Sequence, residues 1–113
     1  MRRDNLKGVK SVVVSQLESG DLVELRTSNS VYRFWVEFAD QSIGVAVGGS
    51  LRGPSRVRIA AEHATSGDAA VRPIRVHEKV QITILGPDGA PMRRFITSQI
   101  ESIAVQPNHR AAA

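Results

Sequence analysis

The amino-acid sequence predicts an all-β fold, a small barrel or compact sandwich of seven to eight short, mostly antiparallel strands. Three observations lead to this prediction. Apolar and polar residues alternate along several short runs, which is the pattern of half-buried strands. Glycine, proline, asparagine and aspartate separate these runs at positions typical of turns. No stretch has the apolar period of a long amphipathic helix.

The first half of the chain carries the clearest strand pattern. A short strand is predicted over residues 10–14, followed by strands over Leu22–Thr27 and Val31–Phe38. The polar residues 28–30 join the last two strands as a tight turn, because Asn29 tolerates a left-handed conformation. These two strands are therefore predicted to form a hairpin.

Nearly all aromatic residues lie in the second strand of this hairpin. Alternation places Tyr32, Phe34, Val36 and Phe38 on one face of it, which we expect to anchor the core. The opposite face is predicted to carry Trp35 and its polar neighbours.

The second half of the chain continues the same pattern. Strands are predicted over residues 43–47, 56–59, 79–85, 92–97 and 100–105, with residues 86–89 as the turn of a second hairpin. In the first of these, Gly44 and Ala46 occupy one face, so either another element packs closely there or the strand bends. Residues 61–73 are the least patterned stretch and could form a loop or a short helix. The predicted core consists of Val23, Leu25, Tyr32, Phe34, Val36, Phe38, Ile43, Val45, Val47, Val57, Ile59, Val80, Ile82, Ile84 and Ile103.

The chain has the size of one domain, since its 113 residues can bury one modest core. We predict a flexible basic segment over residues 1–10, a single β domain over residues 11–105 and a flexible tail over residues 106–113. The basic segment is either a loose end or an arm that contacts phosphate or an acidic partner.

Several classes of protein are excluded by composition. The chain contains no cysteine, which rules out disulfides and cysteine-based zinc sites. The apolar run at residues 12–14 is too short for a signal peptide or a membrane span. We therefore expect a cytoplasmic protein that does not contact a membrane.

Catalytic motifs are not found in the sequence. His63, His77 and His109 are scattered without metal-ligand spacing, and no serine lies in a Gly-x-Ser-x-Gly elbow. We therefore expect a non-enzymatic protein with no catalytic residue, no metal site and no cofactor.

Three carboxylates, those of Asp21, Glu24 and Glu37, lie near one another in the predicted hairpin. Cross-strand pairing of either glutamate with Arg26 or Arg33 accounts for them without acid–base catalysis.

The segment from Leu17 through Gly20-Asp21-Leu22-Val23-Glu24-Leu25 resembles the opening of SH3-like and Sm-like small β-barrels, in which a Gly-Asp turn often leads into the first long strand. The likeness covers about the N-terminal third of the chain and implies a small-barrel fold. The segments TSNSVY (residues 27–32) and ITSQIESI (residues 96–103) also resemble small bacterial proteins without an assigned activity, so no functional residue follows from them.

An outward tryptophan gives the leading functional hypothesis. Trp35 lies between Arg33 and Glu37 on the face opposite the predicted core, and such a side chain is typical of a contact surface. The alternative is that a second layer, formed by the N-terminal segment or residues 61–73, covers it. The first interpretation predicts an interaction or assembly module that binds a partner protein or a second copy of itself through Trp35, Arg33 and Glu37. Unpaired strand edges and the small face of Gly44 and Ala46 also favour homo-oligomers.

The basic residues give an alternative hypothesis, an RNA- or DNA-binding small barrel. The net charge is +4, and twelve of the fifteen basic residues are arginine, which suits phosphate or carboxylate recognition or else reflects genomic composition. Such a barrel would use strand arginines and the basic N-terminal arm: Arg33, Arg56, Arg58, Arg93, Arg94, Arg2, Arg3, Lys7 and Lys10.

Overall fold

The computed structural model describes residues 6–108 and confirms an all-β fold of mostly antiparallel strands. Short 3-10 helices occupy Val14–Gln16 and Ala39–Gln41. The described part has ten strands rather than seven or eight, since three of them are only two or three residues long. The strands are β1 (Lys7–Val9), β2 (Ser11–Val12), β3 (Leu22–Thr27), β4 (Val31–Phe38), β5 (Ile43–Gly48), β6 (Ser55–Ala61), β7 (Ile74–Arg75), β8 (Val80–Leu85), β9 (Pro91–Ile96) and β10 (Ile100–Gln106).

Eight strands form one sheet in the order β1-β10-β3-β4-β5-β6-β8-β9, and β2 pairs separately with β7. The large sheet ends at β1 and β9, so it is not closed into a barrel. It is strongly curled, because Tyr32 in β4 and Phe95 in β9 bring their ring centroids within 6.3 Å although these strands are not neighbours. One face of the curled sheet therefore encloses the core, and we call the opposite face the outer face.

The inner face buries most of the predicted core. Alternate residues of the paired strands are fully buried, as strand geometry requires. Buried there as predicted are Val23, Leu25, Tyr32, Phe34, Val36, Val57, Ile59, Val80, Ile82 and Ile103, and Ile84 is partly buried against them. Ile43 is buried too, but it lies opposite Phe38 and outside this cluster. Val14, Ile74 and Ile100 are also buried, although the predicted core did not include them.

The assignment of β5 faces in the sequence analysis is wrong. Ala46 lies opposite Phe34, and Gly44 lies opposite Val36, so the small residues of β5 face the core. Val45 and Val47 lie on the outer face and are only partly buried. The ring of Phe34 leaves no room for a side chain at position 44, since a Cβ there would lie 2.9 Å from two of its atoms.

Phe38 is not a core residue, contrary to the prediction, and its side chain is 49% exposed. The pairing of β4 with β5 shifts register between Val36, which faces Gly44, and Phe38, which faces Ile43. Glu37 and Phe38 therefore oppose a single residue, as in a β-bulge. Beyond the bulge, the alternation of inner and outer side chains along β4 is shifted by one residue. The bulge moves Phe38 to the outer face, where Trp35 lies.

Two loops are held in place by specific contacts. The connection after β5 uses positive φ at Gly48 (103°) and Gly49 (53°), and the backbone N–H of Ser50 donates to the Tyr32 hydroxyl at 3.3 Å. Residues 62–73 form a loop of turns rather than a helix. This loop is attached to β8 by Gln81, whose Nε2 donates to the carbonyls of Ala61, Glu62 and Ala64 at 3.0, 3.0 and 2.7 Å.

Parts of both segments predicted to be flexible lie in strands. Lys7–Val9 forms β1 and pairs with β10. Gln106 belongs to β10, and the backbone N–H of Asn108 donates to Asp21 Oδ1 at 2.7 Å. The remaining parts of the two predicted flexible segments, residues 1–5 and 109–113, lie outside the described residues. Within residues 6–108, no helix is long and apolar enough to cross a lipid bilayer.

Candidate functional site

Trp35 lies on the outer face and is 38% exposed. Register places it between Leu22 of β3 and Val45 of β5, both partly buried. The bulge at the end of β4 adds Phe38 to the same side. Leu22, Trp35, Phe38 and Val45 together form an apolar strip, which we call the tryptophan face. Among residues 6–108, no second layer covers the indole completely, and the role of Trp35 as a contact surface stays a prediction.

Two ion pairs flank the tryptophan face. Arg33 Nε lies 3.2 Å from Glu24 Oε2, in the cross-strand pairing expected of the hairpin. Glu37 does not pair with Arg26 or Arg33, since its carboxylate accepts from Arg56 of β6 at 3.1 and 3.3 Å. Exposed pairs of this kind contribute little to stability, on the order of 0–1 kcal/mol. Their main effect is on the charge pattern of β4, in which Arg33 lies on one side of Trp35 and Glu37 on the other.

The small residues of β5 do not belong to this surface. Gly44 and Ala46 are buried against the core, so they cannot form the close-packing face that the sequence suggested for self-association.

Of the carboxylates considered at the sequence level, that of Asp21 is buried, where it accepts hydrogen bonds from the backbone of Glu18 and Asn108.

The residues of the nucleic-acid hypothesis are divided among three places. Arg33 and Arg56 are engaged with the glutamates described above. Lys7 lies in β1, at the sheet edge opposite to β9, and Lys10 is exposed just after that strand. Arg58, Arg93 and Arg94 line one cavity. Arg2 and Arg3 lie outside the described residues, and nucleic-acid binding stays a prediction.

The arginine cavity, lined by Arg58, Arg93 and Arg94, has a volume of about 350 Å³. It lies between the outer face of β6, β8 and β9 and the loop of residues 62–73. The sequence predicted these arginines on strands but not the cavity. Its formation depends on the loop that Gln81 attaches to β8, and no local sequence pattern shows that contact.

One carboxylate near this cavity is already satisfied. Asp68 accepts from the backbone N–H of Thr65 at 2.7 Å and from the Arg72 guanidinium at 3.1 and 3.2 Å. The Thr65 hydrogen bond, together with the Arg72 charge, lowers the pKa of Asp68 below its ordinary value. Asp68 therefore serves as an internal anchor of the loop.

Two of the scattered histidines meet in a second cavity, of about 340 Å³, lined also by Glu62 and Glu78. His77 has a positive φ of 78°, and its carbonyl accepts from Gln99 Nε2 at 2.7 Å. Among the described residues, no three His, Asp or Glu side chains are placed to hold a metal ion. His109 lies outside the described part of the chain.

Comparison of the chain with protein-family models, with curated proteins and with solved structures gives no match.

Proposed function

We propose that this protein is a non-enzymatic assembly module that pairs with a second copy of itself through the tryptophan face. The observation that carries the proposal is the partly exposed indole of Trp35 within an apolar strip, bordered by two ion pairs. Tryptophan buries a large area at the cost of few rotamers, which is why it is enriched at the centres of interfaces. We also propose that the fold resembles SH3-like and Sm-like small barrels, because a Gly-Asp turn at Gly20-Asp21 leads into β3.

The charge pattern supports a second copy as the partner. Arg33 and Glu37 lie two residues to either side of Trp35 on the same strand. A two-fold axis that lies in the plane of the interface above Trp35, perpendicular to β4, would make the β4 strands of the two copies antiparallel. Arg33 of each copy would then face Glu37 of the other, and the two indoles would meet at the axis. The surface is thus self-complementary, as an isologous dimer requires.

The test is the mass in solution, measured by sedimentation velocity over a range of concentrations. The wild type should form a dimer of twice 12.3 kDa, and Trp35→Ala should shift it toward the monomer. Val71→Ala is the matched control, because Val71 is an exposed apolar residue in the loop of residues 62–73 and should leave the mass unchanged.

Charge reversal tests the geometry separately. Arg33→Glu should weaken the dimer, since it places like charges opposite each other at both contacts, and Glu37→Arg should do the same. An equimolar mixture of the two variants pairs opposite charges at both contacts and should restore the dimer. A wild type that stays monomeric at every concentration would contradict the proposal. A dimer that is unaffected by Trp35→Ala would place the interface elsewhere and also contradict it.

A further inference from the structure

We infer that the arginine cavity binds the phosphate group of a small phosphorylated ligand. This inference does not depend on the proposed self-association, because the cavity lies toward β9 and the tryptophan face is centred on β4. Its volume of about 350 Å³ falls within the range of small-molecule sites.

The sheet register brings two of the arginines together. Arg58 of β6 lies opposite Thr83 of β8, which lies opposite Arg94 of β9. The three residues form one row across the outer face, and strand spacing places the Cα atoms of the two arginines about 10 Å apart. Two arginine side chains at that separation can converge on one group above Thr83. The Thr83 hydroxyl beneath them is an additional donor.

The arginines of this cavity, unlike two arginines nearer to Trp35, are not paired with acidic side chains of the described residues. Arg33 and Arg56 each have a glutamate, whereas the described residues give Arg58, Arg93 and Arg94 no carboxylate partner. Arg58 Nε instead donates to the Gln41 carbonyl at 3.3 Å. This contact uses Nε, and residues 6–108 give the two terminal guanidinium nitrogens of Arg58 no partner.

Gln81 connects the cavity wall to Arg94. Its Nε2 is used by the loop carbonyls, and its Oε1 accepts from Arg94 Nη1 at 3.5 Å. The same side chain therefore attaches the loop and makes a long contact with an arginine of the cavity. No Asp or Glu side chain of the described residues lines the cavity.

The ligand class follows from this chemistry. Arginine is always protonated at physiological pH, and its planar fork of donors matches phosphate oxygens. Arg58 and Arg94 hold two such charges on one face of the sheet, where they repel each other, and a dianionic phosphate or a pyrophosphate relieves that repulsion. Hydroxyls of Thr65 and Ser66 on the loop side can donate to further oxygens, and Ala60 and Met92 provide apolar surface for the remainder of a ligand.

The experiment is calorimetric titration of the full chain with two small probes, inorganic pyrophosphate and ADP, at low ionic strength. A single-stranded oligonucleotide is titrated as a third probe, because a nucleic-acid phosphodiester is another source of the same group. Arg58→Gln and Arg94→Gln should each weaken pyrophosphate binding about tenfold or more, as loss of a charge-assisted contact does. Arg52→Gln removes the same charge from an exposed loop outside the cavity and should leave the affinity unchanged.

Circular dichroism of each variant checks that the fold is retained. If the oligonucleotide binds more tightly than pyrophosphate and depends on Arg58 and Arg94 but not on Arg52, the cavity binds the phosphates of a nucleic acid, and the inference of a small ligand is wrong. If no probe binds, the inference is wrong. If all three variants weaken binding equally, the interaction is one of net charge, and the inference is wrong as well.

Discussion

The replacement of Gly44 by alanine tests the packing of β5 directly. A Cβ at this position would overlap the carbonyl oxygen of Trp35 and lie 2.9 Å from Cε1 and Cζ of Phe34. The ring cannot move away easily, because Phe34 is among the largest fully buried side chains. The backbone oxygen cannot change rotamer, so relief requires β4 and β5 to separate locally.

The size of the effect follows from two opposing contributions. Overpacking of a well-packed core costs about 1–3 kcal/mol, and contact with backbone favours the upper end of that range. Against this, alanine reduces the entropy of the unfolded chain and stabilises by about 0.4–1 kcal/mol. We expect Gly44→Ala to lower the free energy of unfolding by about 2 kcal/mol.

Urea unfolding followed by circular dichroism measures this change. With a slope of about 2 kcal/mol per molar urea, the midpoint should fall by about 1 M. Gly53→Ala is the matched control, since an added Cβ there meets no atom within 4 Å. Its midpoint should stay the same or rise by up to about 0.5 M.

An unchanged midpoint for Gly44→Ala would refute the register that places Gly44 opposite Val36. It would mean that the small residues of β5 face outward, as the sequence first suggested. The double variant Gly44→Ala with Phe34→Leu separates the two contacts. If the ring contributes to the clash, the combined loss should be smaller than the sum of the single losses.

Three further outcomes are expected. Phe34→Ala should lower the free energy of unfolding by about 3–5 kcal/mol in the same urea assay, because the ring is fully buried. Removal of residues 1–10 should lower the urea midpoint, because it deletes β1 and its pairing with β10; an unchanged midpoint would show that β1 does not support the sheet. Arg72→Gln should raise the pKa of Asp68 toward its ordinary value, measured by NMR titration of the carboxyl carbon. The small stabilisation from the Asp68 carboxylate is present above its ordinary pKa and is lost as the pH falls through the lowered one.

Local signals were sufficient to predict part of the fold. The bounds of β3 and β4 agree with the prediction, because strong alternation meets a polar turn between them. The turn after β8 was also predicted, and Gly89 has the expected positive φ of 85°. The pairing of Glu24 with Arg33 is one of the alternatives that the predicted hairpin left open, and the observed register selects it.

Features that depend on distant pairings were not predictable in this way. The bulge at Glu37 resets alternation, and nothing in residues 31–38 marks where two residues will oppose one. The partner of Glu37 is Arg56, from a strand beyond β5, and that contact requires the sheet order. The arginine cavity likewise needs β6, β8, β9 and a loop, which come together only in the folded chain.

The position of β10 has a consequence for how the chain folds during synthesis. This strand leaves the ribosome after the other nine described strands, yet it lies between β1 and β3, which leave it early. Until β10 arrives, the edge of β3 is open, and β1 has no partner in the sheet. Long-range pairing of this kind slows folding, because a large loop must close before any contact stabilises it. Nascent chains that stop before residue 100 should therefore depend on chaperones to shield this gap, whereas the β3–β4 hairpin can form as soon as it emerges.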